Sequence, residues 1–145
     1  MSTHYKNIIV AVDGSEASHK AFKQALTLAT LIDDMKLIIT HVIDTRTFAT
    51  AEAYDRTLVG QTEKHAEELL QHYAEEAEKA GIKNYVQCLE FGSPKVKITK
   101  DIVKEYDADL IICGATGVNA VERFLIGSVS ENITRHATCD VLVVR

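Results

Sequence analysis

Tyr5–Asp13, YKNIIVAVD, runs directly into Gly14-Ser15-Glu16-Ala17-Ser18. Its centre is an almost unbroken apolar run, the pattern of a strand covered on both faces. Ser15 is a good helix N-cap, and after it Ala21, Ala25, Leu28, Ala29 and Ile32 recur at helical spacing. A doubly covered strand that turns at Asp-Gly-Ser into an amphipathic helix is the first half of a β-α-β unit, and the fold depends on whether that unit repeats.

It does. Four further β-rich runs follow: Lys36–Ile43 (KLIITHVI), Asn84–Phe91 (NYVQCLEF), Asp109–Gly114 (DLIICG) and Asp140–Val144 (DVLVV). The fourth run is again continuously apolar, so the first and fourth are predicted to be central. Alternation of Tyr85, Gln87 and Leu89 against Val86, Cys88 and Glu90 puts the third nearer an edge. Between the runs, Ala66, Leu69, Leu70, Tyr73, Ala77 and Ala80 form a helical stripe ending at Gly81, a natural C′ residue. Ser93-Pro94 opens a helix carrying Ile98, Ile102, Val103 and Tyr106; Ser128 opens the last, with Val129, Ile133, His136 and Ala137. The segment from Asp44 to Gly60 lacks a sustained apolar period until Leu58 and reads as a mobile cover or a frayed helix start.

Strict alternation with right-handed crossovers implies one α/β domain over residues 1–145, a doubly wound five-stranded parallel sheet with helices on both faces, Rossmann-like in the broad sense. Ligands of such sheets collect at the carboxyl ends of the strands, where the winding reverses. In strand order 3-2-1-4-5 that crevice lies between strands 1 and 4 and brings Asp13-Gly14 opposite Gly114-Ala115-Thr116-Gly117.

Composition narrows the function. With 46% hydrophobic and 26% charged residues the chain reads as globular throughout, and a net charge of −5 without a basic cluster argues against nucleic acid as a partner. No apolar run approaches the roughly 18 residues needed to cross a bilayer, and the start has no leader-like pattern, so the protein is expected to be cytoplasmic and free of membrane. Cys88, Cys113 and Cys139 form no CxxC pair, and the six histidines are dispersed, so neither a disulfide nor a metal site is expected from them.

The P-loop pattern GxxxxGK[ST] is absent, and DGSEAS replaces the GxGxxG of dinucleotide sites. The paired acids and strand-3 aspartate of a two-component receiver are also missing. What remains is Gly114-x2-Gly117-x9-Gly127-Ser128, three of the chain's seven glycines. The N–H groups of Gly127, Ser128, Val129 and Ser130 at a helix start would suit an anion. Ser128-x-x-Glu131 is equally a capping box, which would satisfy that helix end without any ligand. Asp13 has two readings as well: a ligand contact, or a turn residue whose carboxylate accepts local N–H groups.

This glycine pattern, with IIVAVDGSEAS, LIITHVID and TCDVLVVR, resembles the universal stress protein family (UspA-like), specifically its ATP-binding branch with G-2x-G-9x-G-[S/T]. The resemblance covers nearly the whole chain. It implies strand order 3-2-1-4-5, a homodimer, and ATP between the ends of strands 1 and 4. Carried onto this sequence, it places Asp13 beside the ribose and phosphates with the Ala11 and Val12 backbone alongside. It sets the Val42 backbone against the adenine, Gly114, Ala115 and Gly117 on the ribose and phosphate side, and Gly127, Ser128, Val129 and Ser130 on the phosphates. Mg²⁺ near Asp13 would offset the charge of the triphosphate. Arg46 and Arg123 are the nearest cationic candidates for the phosphates, with a solvated surface role as the favoured alternative for both. The apolar strand Val141 to Val144 is expected at a sheet edge, where two-fold pairing with a second copy would bury it.

Three roles fit: a cytoplasmic stress-response protein switched by ATP, a slow ATPase or phosphoryl or nucleotidyl transferase, and a nucleotide-free dimeric interaction module. Asp13 is the only good acid, no Lys follows the glycines, and HxGH and SGGxDS are absent, which disfavours efficient catalysis. No catalytic residue is assigned.

Overall fold

In the computed structural model, residues 5–48, 56–116 and 126–145 are described. β1 (Asn7–Ala11) leads to α1 (Glu16–Leu31), β2 (Lys36–Asp44), a 3-10 turn at Thr45–Phe48, α2 (Arg56–Lys79) and β3 (Tyr85–Gly92). A continuous helical segment over 94–106, α3, follows, then β4 (Leu110–Gly114), α4 (Ser128–His136) and β5 (Asp140–Val144). The five strands form one parallel sheet in the order β3-β2-β1-β4-β5: the doubly wound class is the one the alternation predicts, and the strand order is the one the resemblance implies.

Alternation along the strands sorts the core into two layers. Ile8, Val10, Leu37, Ile39 and Ile112 point to the face covered by α1 and α2, where they meet Phe22, Leu70 and Tyr73. Ile9, Ile38 and Ile111 point the other way, onto Ile98 and Ile102 of α3 and Ile133 of α4. Ile9 and Ile111 are in register, as are Ile9 and Ile38, so each layer is a row of branched side chains crossing the central strands. Strand 3 lies at an edge, with only Cys88 buried along it, as its alternating sequence predicts.

The strands are tied at their amino ends by side chains. Asp109 accepts the backbone N–H groups of Lys6 (2.8 Å) and Asn7 (3.3 Å), and the Tyr5 hydroxyl donates to Asp140 (2.6 Å). The run predicted to start at Tyr5 therefore enters the sheet only at Asn7.

Local signals account for the helix ends. Ser15 caps α1, its side chain accepting from Ser18 N–H at 3.1 Å. α2 closes on Gly81, at φ +86, with Gly81 N–H donating to Glu78 C=O and Ile82 N–H to Ala77 C=O. That is the paired bonding of a Schellman motif, and both Ile82 and Ala77 enter the core. Three expectations need correction. Ser93 stands at the start of α3 but its side chain caps nothing, and α3 opens into a π-helical stretch at Lys97–Ile102. His136, predicted on the apolar stripe of α4, is exposed. α2 begins at Arg56, before the first apolar residue of its stripe; the part of the Asp44–Gly60 segment at 49–55 lies outside the described residues. No helix among the described residues is long and apolar enough to cross a membrane.

Because Gly81 occupies left-handed backbone space with nothing within 4 Å of where a β-carbon would stand, Gly81→Ala is expected to cost about 1 kcal/mol through backbone strain alone. Urea denaturation should show a lower midpoint at an unchanged slope.

Candidate functional site

At the carboxyl end of β1 the chain turns away from the sheet. Gly14 has φ +82, a conformation that favours glycine, and the turn it makes is held by short-range bonds. Asp13 Oδ1 accepts Ser15 N–H at 2.9 Å, and Asp13 N–H donates to Ser18 Oγ at 3.2 Å. Ser18 Oγ in turn donates to Ser15 C=O at 3.1 Å. Thus the turn reading of Asp13 is realised for one carboxylate oxygen, while Oδ2 accepts no bond among the described residues. Beneath the turn, Tyr73 is buried beside Ser18, and burial pushes its hydroxyl above the usual tyrosine range.

Across the crevice, β4 passes into the glycine-bearing stretch. Gly114 is in the strand, and a β-carbon there would lie 2.7 Å from the backbone C and O of Ala17 in the first turn of α1. Glycine at 114 is therefore required by helix packing, whatever binds in the crevice. Gly117 and Arg123 lie outside the described residues. The chain returns at Ile126, and Gly127 N–H donates to Ala115 C=O at 2.6 Å.

That bond sets the register of α4, and the capping box does not form. Gly127 is the N-cap, Ser128 is the first helical residue, and no side chain among the described residues caps the helix. Glu131 is then one residue too far along to reach back, and its carboxylate pairs instead with Arg135 at 3.1 Å. Ser130 takes the third helical position, and its buried hydroxyl donates to Gly114 C=O, fastening the helix start to the end of β4. Beneath it, burial pushes the Cys113 thiol up to about 11, with the Ser130 hydroxyl acting in the opposite direction. The N–H groups of Ser128, Val129 and Ser130 thus stand at the positive end of a nine-residue helix beside the end of β4.

β2 forms the third wall. Its ladder with β1 stops at Ala11↔Thr40, where Val12 N–H donates to Thr40 C=O at 2.8 Å. Backbone groups alternate sides along a strand, so the N–H and C=O of Val42 point to the side on which β1 has already ended. A ladder continued by one step would pair Val42 N–H with Val12 C=O, but that bond is not made. The Val12 carbonyl instead receives the ring Nδ1 of His41, at 2.7 Å. His41 was not among the residues singled out by motif. Further out, Arg46 closes a two-pronged pair on Asp44, donating from Nη2 to Oδ2 at 2.7 Å and from Nε to Oδ1 at 3.1 Å, and holds that carboxyl below the usual range. Arg46 is thus engaged with its own strand end.

The turn at Asp13, the backbone of Val42, the end of β4 at Gly114-Ala115 and the start of α4 at Gly127 all lie at the carboxyl edge of three adjacent strands. No group of three or more potential metal-ligating side chains occurs among the described residues.

A profile of the universal stress protein family matches residues 4–145. A Staphylococcus haemolyticus protein named for that family is 51% identical over 141 residues, which span 97% of this chain and 85% of the relative. Among solved structures, universal stress protein UspA from Lactobacillus plantarum is similar at a TM-score of 0.86 and 30% identity, with 99% of this chain and 100% of that one covered. A universal stress protein in complex with cAMP is similar at a TM-score of 0.76 and 25% identity, with 99% of each chain covered.

Gly114→Ala separates packing from ligand contact. Forcing a methyl group against the Ala17 backbone should destabilise the nucleotide-free protein by about 1–3 kcal/mol, measured as a lower urea midpoint. An unchanged midpoint would return the reason for this glycine to a ligand.

Proposed function

We propose a nucleotide-dependent regulatory role that proceeds from one premise: this chain belongs to the universal stress protein family. The proposed ligand is ATP, held in the crevice at the carboxyl ends of β1 and β4. The observation that carries the reading is the start of α4, where three successive N–H groups at the positive end of the helix meet no capping side chain among the described residues. The first N–H groups of a helix have no partner within it, and phosphate oxygens are acceptors that bind them in charge-assisted form. The cAMP complex of a related protein supports a nucleotide as the class of ligand.

Each candidate residue then has a distinct part. The Val42 N–H and C=O offer one donor and one acceptor to the adenine edge, with the Ala11 and Val12 backbone alongside. Asp13 faces the ribose and phosphates, Gly114, Ala115 and Gly117 line the ribose and phosphate side, and the N–H groups of Ser128, Val129 and Ser130 hold the phosphates; Gly127, expected to donate as well, has its own N–H engaged by Ala115 C=O and offers only close backbone approach. Ser130 contributes its N–H, since its hydroxyl is bound to Gly114. Mg²⁺ suits the same site: phosphate oxygens and water fill most of its coordination, so the single carboxylate oxygen Oδ2 of Asp13 is enough protein for it. Bound Mg²⁺ would neutralise charge between Asp13 and the triphosphate.

Regulation follows if ATP binds one state of a cytoplasmic homodimer better than another. The dimer is proposed to form through β5, which is bonded to β4 on one edge only and leaves Val141 to Val144 half-exposed. Light scattering at micromolar concentration should give twice the 16.0 kDa of one chain; a monomeric mass would remove the edge-pairing proposal.

Ser128→Pro tests the phosphate contact with little disturbance to the helix. Proline is at home in the first helical position, where its missing N–H leaves no helical bond broken, and Gly127 at φ −64 and ψ 159 already has the extended backbone that precedes proline. ATP affinity by titration calorimetry should fall about tenfold, some 1.4 kcal/mol, with an unchanged melting temperature and with Ser128→Ala binding as the parent does. Equal affinity in Ser128→Pro would count against the site, as would a parent protein that neither releases nucleotide on denaturation nor gives heat with ATP.

A further inference from the structure

We propose that His41 is a positioning residue that ends the β1–β2 ladder and thereby keeps the Val42 N–H and C=O free for a ligand. The inference rests on the nucleotide reading for the ligand's identity, but the ladder itself can be tested without one.

Register supplies the first step. β1 and β2 pair residue by residue from Asn7↔Lys36 to Ala11↔Thr40, and the last bond of the regular ladder runs from Val12 N–H to Thr40 C=O. The next acceptor in sequence is Val12 C=O and the next donor is Val42 N–H. They are not bonded to each other; the His41 ring occupies the carbonyl at 2.7 Å. A carbonyl oxygen can only accept, so Nδ1 of His41 carries the proton and, in the neutral ring, Nε2 is the bare nitrogen.

Chemistry supplies the second. Without an acceptor for Val12 N–H and a donor for Val12 C=O, the turn at Asp13 would expose a main-chain pair next to a buried core. Thr40 provides the acceptor from its backbone and His41 provides the donor from its side chain. The carbonyl's need for a donor is met without recruiting Val42. Gly14 then swings the chain away at φ +82, and nothing of β1 remains to face Val42. One side chain therefore does two things: it anchors the Asp13 turn to β2, and it leaves a donor and an acceptor of β2 pointing into the crevice. Such a pair matches the edge of a heterocycle with adjacent acceptor and donor atoms, as adenine has.

The test compares His41→Leu with His41→Asn in the full-length protein. Asn carries its amide nitrogen the same number of bonds from the backbone as Nδ1 and can donate to Val12 C=O; Leu cannot. Residue-resolved amide exchange on nucleotide-free protein is the first readout. Val42 N–H should exchange freely in the parent and in His41→Asn, and slow by about tenfold in His41→Leu as the ladder extends by one bond, a change on the scale of one added hydrogen bond. Loss of a side chain that raises protection at one neighbouring amide is a signature that simple destabilisation does not give. Calorimetry with ATP is the second readout: affinity should drop about threefold to tenfold in His41→Leu and stay near the parent's in His41→Asn. Nitrogen-15 spectra of the ring should show the Nδ1–H tautomer in the parent.

A Val42 amide already protected in the nucleotide-free parent, an Nε2–H tautomer, or unchanged Val42 exchange in His41→Leu would each overturn the inference. A parent protein that binds no ATP while the exchange and tautomer results come out as expected would sink the nucleotide reading and leave the ladder-ending role standing.

Discussion

β1 is bonded on both edges, to β2 and to β4, and its side chains enter both hydrophobic layers, so every other element packs directly or at one remove against five residues. The strand is also short. It stops at Ala11 while β2 continues to Asp44 and β4 to Gly114. A central strand that ends before its neighbour leaves a notch in the carboxyl edge of the sheet, floored by the turn at Asp13 and walled by the backbones of its neighbours. Placement of the candidate site follows from that unequal length more than from any one side chain.

Much of this was legible in the chain. Continuous apolar runs at Ile8–Val10 and Leu110–Ile112 marked strands covered on both faces, and Ser15 and Gly81 marked the helix ends where caps now stand. Such signals are local and strong because a buried strand tolerates few polar residues and a left-handed backbone position favours glycine. What the pattern left open was register at the start of α4. Ser128-x-x-Glu131 is a valid capping box in isolation, but the Gly127–Ala115 bond and the Ser130–Gly114 bond fix the first helical residue from outside the helix. Tertiary bonds decided by one residue what sequence spacing left as alternatives.

Gly114 and His41 illustrate the same limit from opposite directions. Gly114 sits in the glycine pattern that the resemblance assigns to a ligand, yet its missing β-carbon is demanded by Ala17, nearly a hundred residues earlier in the chain. His41 sits in no motif and looks like a strand residue of intermediate polarity, yet it takes over a main-chain acceptor on the neighbouring strand. Neither contact leaves a periodic trace, because each joins residues brought together only by the order of strands in the sheet.

The two rims of the sheet are held differently. At the amino rim, side chains gather the strands: Asp109 receives the N–H groups of residues 6 and 7, and Tyr5 is bound to Asp140. At the carboxyl rim β1 and β2 part, joined last by the single bond from Val12 and the ring of His41. Ladder bonds hold β1 and β2 together from Asn7↔Lys36 to Ala11↔Thr40 and lapse beyond the Val12–Thr40 bond, so any parting of these two strands begins at their tips and not at their starts. For the ligand proposed above, a gap opened at two tips would leave both layers of the core closed.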